Sequence, residues 1–116
     1  HLRRSKDWVL RLGDGTEDSH QRSQKALDDL WGFTHELFEM DELETTLAGA
    51  GIAVDRSQLK DAWKANVSAL LAEATLSVPE DDWTVTGGRE GMHTEHLGHL
   101  LSDLQFMQRA YPGLEW

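Results

Sequence analysis

An all-α fold is predicted by three features of this 116-residue sequence. Apolar side chains recur at the three-and-four spacing of helices in successive segments. Capping residues precede these segments and glycines follow them. The only prolines, Pro79 and Pro112, both lie at the ends of periodic segments rather than inside them. Val and Thr residues near Pro79 have no second strand to pair with, so a sheet is not expected.

The first two predicted helices are separated by a glycine-containing break. Leu2 to Leu12 forms the first, with Leu2, Ser5, Trp8 or Val9, and Leu12 on one face. Asp14 followed by Glu17 has the spacing of a capping box, and Thr16 is a rival cap. The second helix then extends to about Phe38. Its predicted buried stripe consists of Leu27, Leu30, Trp31, Thr34, Leu37 and Phe38.

Two further helices follow with clear boundaries. Asp41 with Glu44 begins a short helix that Gly49-Ala50-Gly51 ends. After the link Ile52–Val54, Asp55 or Ser57 begins the most regular amphipathic helix of the chain. Its apolar positions are Leu59, Ala62, Trp63, Val67, Leu70, Leu71 and Ala74.

The remaining sequence predicts a connection, a loop and one last helix. Residues 75–86 are expected to be extended, with one turn at most, and 87–91 form a glycine-rich turn. The last helix extends from about Thr94 to Tyr111, where Pro112-Gly113 ends it. Its expected inward side chains are Leu97, Leu100, Leu101, Leu104, Met107 and Tyr111.

Composition and charge exclude several classes of protein. A chain of this length fits one domain, and its 39% hydrophobic residues allow a core. The net charge of −10 disfavours nucleic acid and anionic membranes as partners. Absent cysteines rule out disulfides and thiolate metal sites, and no apolar run is long enough to span a membrane. We therefore expect a cytoplasmic protein.

The acidic and basic residues are unevenly distributed along the chain. Six of the eleven basic residues precede Ala26, whereas residues 26–55 contain eight acids and neither Lys nor Arg. Such an arrangement can steer a complementary partner, although an ordinary solvated face is the simpler interpretation.

Two Glu-x-x-His pairs raise the question of a di-iron site. These are Glu17 with His20, which can face inward, and Glu90 with His93, of which Glu90 lies among Gly87, Gly88 and Gly91 and is expected off the helix. A di-iron bundle needs such a pair on two helices and a lone inward Glu on two more. No lone Glu lies on an apolar stripe, so we expect no metal site in this chain. The sequence also has no nucleophile elbow, phosphate-binding loop or dinucleotide motif, so we expect no cofactor and no catalytic residue.

The segment from Gly87 to His99 is the other candidate site. His93 and His96 continue the stripe of the last helix, and His99 is turned away from it. Zinc would need ligands from elsewhere, so polar packing or partner contacts are the favoured interpretation. The expected contact residues are Gly87, Gly88, Arg89, His93, His96 and Trp116.

Several motifs together resemble one family. The segments Trp8–Ser19, Ala26–Trp31 and Glu36–Phe38 are similar to the ferritin-like subunits of phenylacetyl-CoA ring epoxidase. The closing segments Gly87–Gly98 and Gln108–Gly113, with the terminal Trp, resemble the C subunit of that family. The resemblance covers nearly the whole chain.

This resemblance implies a fold and a function. It implies about half of a ferritin-like helical bundle, with residues 1–116 as the C-terminal part of the domain, which agrees with a start at His1 inside a helix. The C subunit of this bacterial family is a non-catalytic structural component of a di-iron monooxygenase complex of aerobic phenylacetate catabolism. It binds and stabilises the catalytic subunit, which holds the di-iron centre and epoxidises the ring of phenylacetyl-CoA.

Two other classes of function stay open at the level of sequence. One is a ferritin-like metal-binding oxidoreductase that uses Glu17, His20, His93 and His96 with ligands from a missing N-terminal half. The other is an unrelated acidic helical adaptor. The expected partners are the catalytic subunit, the N-terminal half of the same protein, or a second copy of this chain.

Overall fold

The computed structural model describes residues 1–115, and every regular element in that range is helical. The prediction of an all-α fold is therefore confirmed, and the helical content is consistent with the ferritin-like class. The α-helices are α1 (Leu2–Gly13), α2 (Glu17–Leu30), α3 (Glu42–Gly49), α4 (Lys60–Glu73), α5 (Glu95–Leu104) and α6 (Phe106–Ala110). Shorter 3₁₀ helices cover Trp31–Phe38, Arg56–Leu59 and Gly88–Glu90.

The chain divides into two compact units. The first comprises His1–Thr86 and contains α1 to α4, and the second begins at Gly87 and contains α5 and α6. Among the helices of residues 1–115, none combines the length and the apolar character that a membrane crossing requires.

The corner between α1 and α2 is fixed by side-chain hydrogen bonds. Thr16 is the N-cap of α2, since its hydroxyl oxygen accepts from the Ser19 backbone N–H at 3.2 Å. The Ser19 hydroxyl in turn donates to the Leu12 carbonyl at 2.8 Å. Of the two caps predicted here, Thr16 is correct, because Asp14 instead caps the C-terminus of α1 with its N–H on the Leu10 carbonyl.

The predicted single helix up to Phe38 is wrong after Leu30. The chain continues as the 3₁₀ helix Trp31–Phe38, because tertiary contacts hold its first turn. The indole ring of Trp83 packs directly on Gly32, where a side chain would overlap it. The Gly32 carbonyl accepts from the Val85 N–H at 3.2 Å. Of the predicted buried stripe, Trp31 is buried, whereas Leu30 and Leu37 are exposed.

Helix α3 begins with the predicted capping box. The Asp41 carboxylate accepts from the Glu44 N–H at 2.7 Å, and the Glu44 carboxylate accepts from the Asp41 N–H at 3.2 Å. Glu44 also accepts from the Arg56 guanidinium at 2.8 Å, and Arg56 donates further to the Glu39 carbonyl. This ion pair ties α3 to the 3₁₀ turn that precedes α4.

The C-terminal end of α4 and the residues just after it supply most of the core of the first unit. Asp55 caps the preceding 3₁₀ turn by accepting from the Ser57 N–H at 3.0 Å. The buried apolar residues are Trp31, Leu71, Ala74 and Leu76, and the partly buried residues that pack on them are Val9, Leu10, Leu27, Trp63 and Val67. The predicted stripe is therefore correct at the C-terminal end of α4, whereas Leu59 and Ala62 are exposed.

In the second unit, the predicted last helix is interrupted. Gln105 departs from helical geometry, with φ of −102° and ψ of 3°, so α5 and α6 are separate. The Ser102 hydroxyl donates to the Gly98 carbonyl at 2.8 Å, and a bond of this kind often bends helices. The expected inward residues Leu100, Leu104, Met107 and Tyr111 are exposed, because the described part of this unit has no third α-helix to cover them.

Candidate functional site

The segment that begins at Gly87 forms a tight turn before α5. Gly87 and Gly91 have φ of 87° and 88°, which side chains rarely adopt, and they flank the 3₁₀ turn of Gly88–Glu90. The N–H groups of Glu90 and Met92 donate to the Gly87 carbonyl at 2.9 and 3.0 Å. The turn therefore brings the predicted residues Gly87, Gly88 and Arg89 together.

The histidines that follow this turn are exposed. His93 lies before α5 and His96 in its first turn, so both present their imidazoles at the surface of the second unit. Trp116, the last residue predicted to make a contact, lies outside the described residues. A partner contact of this segment stays a prediction.

Glu17 and His20 use their side chains in separate hydrogen bonds. His20 Nδ1 lies 2.8 Å from the Gly13 carbonyl oxygen, and because a carbonyl only accepts, Nδ1 carries the hydrogen. The Glu17 carboxylate accepts from Gln21 Nε2 at 2.5 Å. Within residues 1–115, no three His, Asp or Glu side chains are grouped so that they could hold a metal ion. These donors do not fit a di-iron centre, which needs four carboxylates and two histidines.

The Gly13 carbonyl, which accepts from His20, also joins α1 to the end of α4. The Thr75 hydroxyl donates to the Gly13 carbonyl at 3.1 Å, so this oxygen has two partners, His20 from the next helix and Thr75 from 62 residues further along the chain. Thr75 has φ of 60°, a left-handed conformation that is rare for β-branched residues. It occupies the position where helices commonly end in glycine.

The end of α4 is a Schellman motif built without glycine. The Leu76 N–H donates to the Leu71 carbonyl at 2.9 Å, and the Thr75 N–H donates to the Ala72 carbonyl at 3.2 Å. Leu71 and Leu76 are both buried, and this burial supplies the hydrophobic contact that accompanies the motif. We infer that the hydroxyl bond to Gly13 offsets the strain at Thr75.

Sequence reasoning missed a cluster around Asp81. Trp31 Nε1 donates to Asp81 Oδ1 at 2.8 Å, and His35 Nε2 lies 3.3 Å from the same oxygen. Trp63 packs on Trp31 with ring centroids 5.7 Å apart, and Phe38 packs edge-on against Trp63 at 5.3 Å. Trp31 and Asp81 are 50 residues apart, so no local spacing indicates the pair.

Electrostatics favour the charged form of Asp81. The hydrogen bond from Trp31 lowers the pKa of the carboxyl group most. Electrostatic interactions with His35, Lys64 and Lys60 lower this pKa further, and partial desolvation opposes the shift. The adjacent cavity has a volume of only about 20 Å³, which is room for a water molecule but not for an organic ligand. The cluster therefore anchors the connection around Asp81 to the 3₁₀ helix rather than forming a substrate pocket.

Comparison with known proteins places the chain in a family. Residues 1–116 match the family described as phenylacetic acid catabolic protein. The C subunit of 1,2-phenylacetyl-CoA epoxidase from Escherichia coli (strain K12) is 50% identical over 116 residues, which is 100% of this chain and 47% of the relative. The chain thus spans about half the length of this curated relative. Because the family match covers every residue, the chain belongs to the phenylacetic acid catabolic protein family.

Proposed function

We propose that this chain is part of a non-catalytic structural subunit of a phenylacetyl-CoA epoxidase complex, a di-iron monooxygenase of aerobic phenylacetate catabolism. Its role is to bind and stabilise the catalytic subunit. The observation that carries the proposal is the 50% identity, across the whole chain, to a protein named as the C subunit of such an epoxidase.

Exposed apolar side chains support a role in assembly. Both units present large apolar residues to solvent, and such surfaces commonly mark contacts with other proteins. They include Leu2, Trp8, Leu12, Leu43, Ile52, Val54, Leu100, Leu104, Phe106, Met107 and Leu114. The N-terminal half of the same protein and a second copy of this chain are the alternative partners.

The proposal assigns the iron to the catalytic subunit and the complex to the cytoplasm. Glu17 and His20 support the assignment of the iron to the catalytic subunit, since each is engaged in a hydrogen bond and the two do not form a ligand pair. We also propose that the segment from Gly87 to His99 docks against a neighbouring helix or the catalytic subunit. Its glycines are costly to order, so a contact that holds them is expected.

Co-purification tests this function directly. The chain is co-expressed with the tagged catalytic subunit of the same organism, and the complex is examined by size-exclusion chromatography with light scattering. We expect a stable complex, and iron that fractionates with the catalytic subunit. A chain that never co-purifies contradicts the structural role.

Metal analysis separates the proposal from the oxidoreductase alternative. The purified chain is measured by plasma mass spectrometry with and without the substitution Glu17→Ala. The proposal predicts no stoichiometric iron in either sample. Iron near two atoms per chain that is lost in Glu17→Ala would instead establish the alternative.

A further inference from the structure

Helix α1 has two apolar faces, of which only one packs on the first unit. Val9 and Leu10 pack against the core, and Gly13 is buried where α1 meets the end of α4. Trp8 and Leu12 lie one turn apart on the other side. There the Trp8 residue is 51% exposed and Leu12 is 43% exposed. We name this second side the α1 outer face, made of Arg4, Trp8, Arg11 and Leu12.

Arginine and tryptophan side chains are organised on the α1 outer face. The Arg11 guanidinium carbon lies 5.9 Å from the centroid of the Trp8 ring, which is within the range of a cation–π contact. Arg4, Asp7, Trp8 and Arg11 line one shallow cleft. Trp and Arg are among the residues most enriched in the positions that dominate the energy of protein interfaces.

The charge of α1 is opposite to that of the chain. The helix has four basic residues and a single acid, whereas the chain has a net charge of −10. Lys6 pairs with Glu73 at 3.4 Å on the inner side. Arg3, Arg4 and Arg11, in contrast, have no ion-pair partner anywhere in the described range 1–115. Their charges are therefore available to an external carboxylate.

We propose that the α1 outer face binds a helix of the catalytic subunit that carries carboxylates beside an apolar stripe. The inference rests on the proposed function and names the surface that performs it. Trp8 and Leu12 supply the apolar contact, and Arg4 and Arg11 bind carboxylates, with which guanidinium groups form paired hydrogen bonds. A helix fits the α1 outer face because side chains one turn apart form rows on both partners, and these rows interdigitate when two helices pack.

A carboxylate-bearing helix fits this face better than a polyanion does. A membrane or nucleic acid contacts a broad surface and would be repelled by the net charge of −10 of the chain. A single helix can contact Arg4 and Arg11 individually while it covers Trp8.

Charge reversal on two helices tests the proposal. The variants are the double substitution Arg4→Glu with Arg11→Glu, the single substitution Trp8→Ala, and the matched control Arg22→Glu with Lys25→Glu on the exposed side of α2. Affinity for the purified catalytic subunit is measured by calorimetry at low and high salt, and helicity is checked by circular dichroism. We expect both α1 variants to bind at least about 30-fold more weakly. The α2 control should stay within about threefold of the unsubstituted chain, for which binding should weaken as salt increases.

The outcomes separate this inference from the proposed function. An unsubstituted chain that does not bind the catalytic subunit overturns both. Normal binding by a folded Trp8→Ala or double α1 variant overturns only the role of this face. Sedimentation that shows self-association through the α1 outer face assigns it to a second copy. Binding of the separately purified N-terminal half that Trp8→Ala abolishes assigns it to that half, and binding to phosphatidylserine vesicles that the double variant loses assigns it to a lipid surface. Each of these results overturns the proposal of a helix of the catalytic subunit.

Discussion

Gly13 and Ala74 pack so closely that residue 13 has no room for a side chain. A Cβ atom at residue 13 would overlap the Ala74 carbonyl oxygen and would lie 3.0 Å from the Ala74 Cβ. This approach places the C-terminal ends of α1 and α4 in direct contact. The core and the hydrogen bond from Thr75 to the Gly13 carbonyl both depend on it.

Substitution of Gly13 should therefore destabilise the first unit. We expect Gly13→Ala to lower the free energy of unfolding by about 1–3 kcal/mol, because the added methyl group overlaps backbone atoms. The matched control is Gly98→Ala in α5, where nothing lies near the new methyl group. There alanine should stabilise the helix by up to about 1 kcal/mol. Urea unfolding followed by circular dichroism measures both, and equal stabilities for the two variants contradict the prediction.

Thr75 should respond differently to two substitutions. Thr75→Val keeps the β-branched side chain in its left-handed conformation but removes the hydroxyl donor, so it should cost about 1 kcal/mol of stability. Thr75→Gly also removes the donor, but it relieves the backbone strain and should cost less. The comparison uses urea unfolding of the two variants. A Val variant that is as stable as the original chain means that the bond to Gly13 contributes nothing.

Asp81 should make stability depend on pH in acid. Its pKa is lowered in the folded state, so its contribution is complete above the ordinary carboxyl pKa of about 3.9 and is lost as the pH falls through the lower folded value. We expect Asp81→Asn to melt at a lower temperature than the original chain at pH 7. The two melting temperatures should converge as the pH approaches 2. Asp82→Asn on the same connection is the control, and a difference for Asp81→Asn that is the same at both pH values contradicts the prediction.

His96 tests the predicted contact of the glycine turn segment. If its imidazole bonds across a partner contact, His96→Ala leaves a buried group unpaired and should weaken the complex by about 1–3 kcal/mol. Glu42→Ala on the exposed first turn of α3 should have little effect. Pull-down with the catalytic subunit and thermal melting measure both variants. If His96→Ala changes neither, the segment is only a solvated turn.

Local sequence signals predicted the elements that depend on local interactions. The Asp41 capping box, the end of α3 and the amphipathic C-terminal half of α4 each follow from residues within one or two turns of one another. The uncertainty between Asp14 and Thr16 as caps was also local. Thr16 is the cap because its hydroxyl accepts from the Ser19 backbone N–H, while the Ser19 hydroxyl bonds back to α1.

The features that the sequence did not predict depend on distant contacts. The 3₁₀ segment from Trp31 needs Trp83 and Val85, which are far away along the chain. On α1, helical spacing grouped Leu2, Ser5, Trp8 or Val9, and Leu12 on one face, but Val9 packs on the core with Leu10, whereas Leu2, Trp8 and Leu12 are exposed. The Asp81 cluster likewise needs the folded chain to bring its members together.

The position of the core has a consequence for hydrogen exchange. Leu71, Ala74 and Leu76 are three of the four buried apolar residues in the described range, and Trp31 completes the set. The Leu76 N–H, which donates to the Leu71 carbonyl, can exchange only when these four residues move apart. Amides of this kind should be the slowest to take up deuterium. The amides of α5 and α6 should exchange through local fraying, because neither helix contains a buried residue. A partner that binds over α5 and α6 should then be detectable, because it slows the exchange of amides in the second unit.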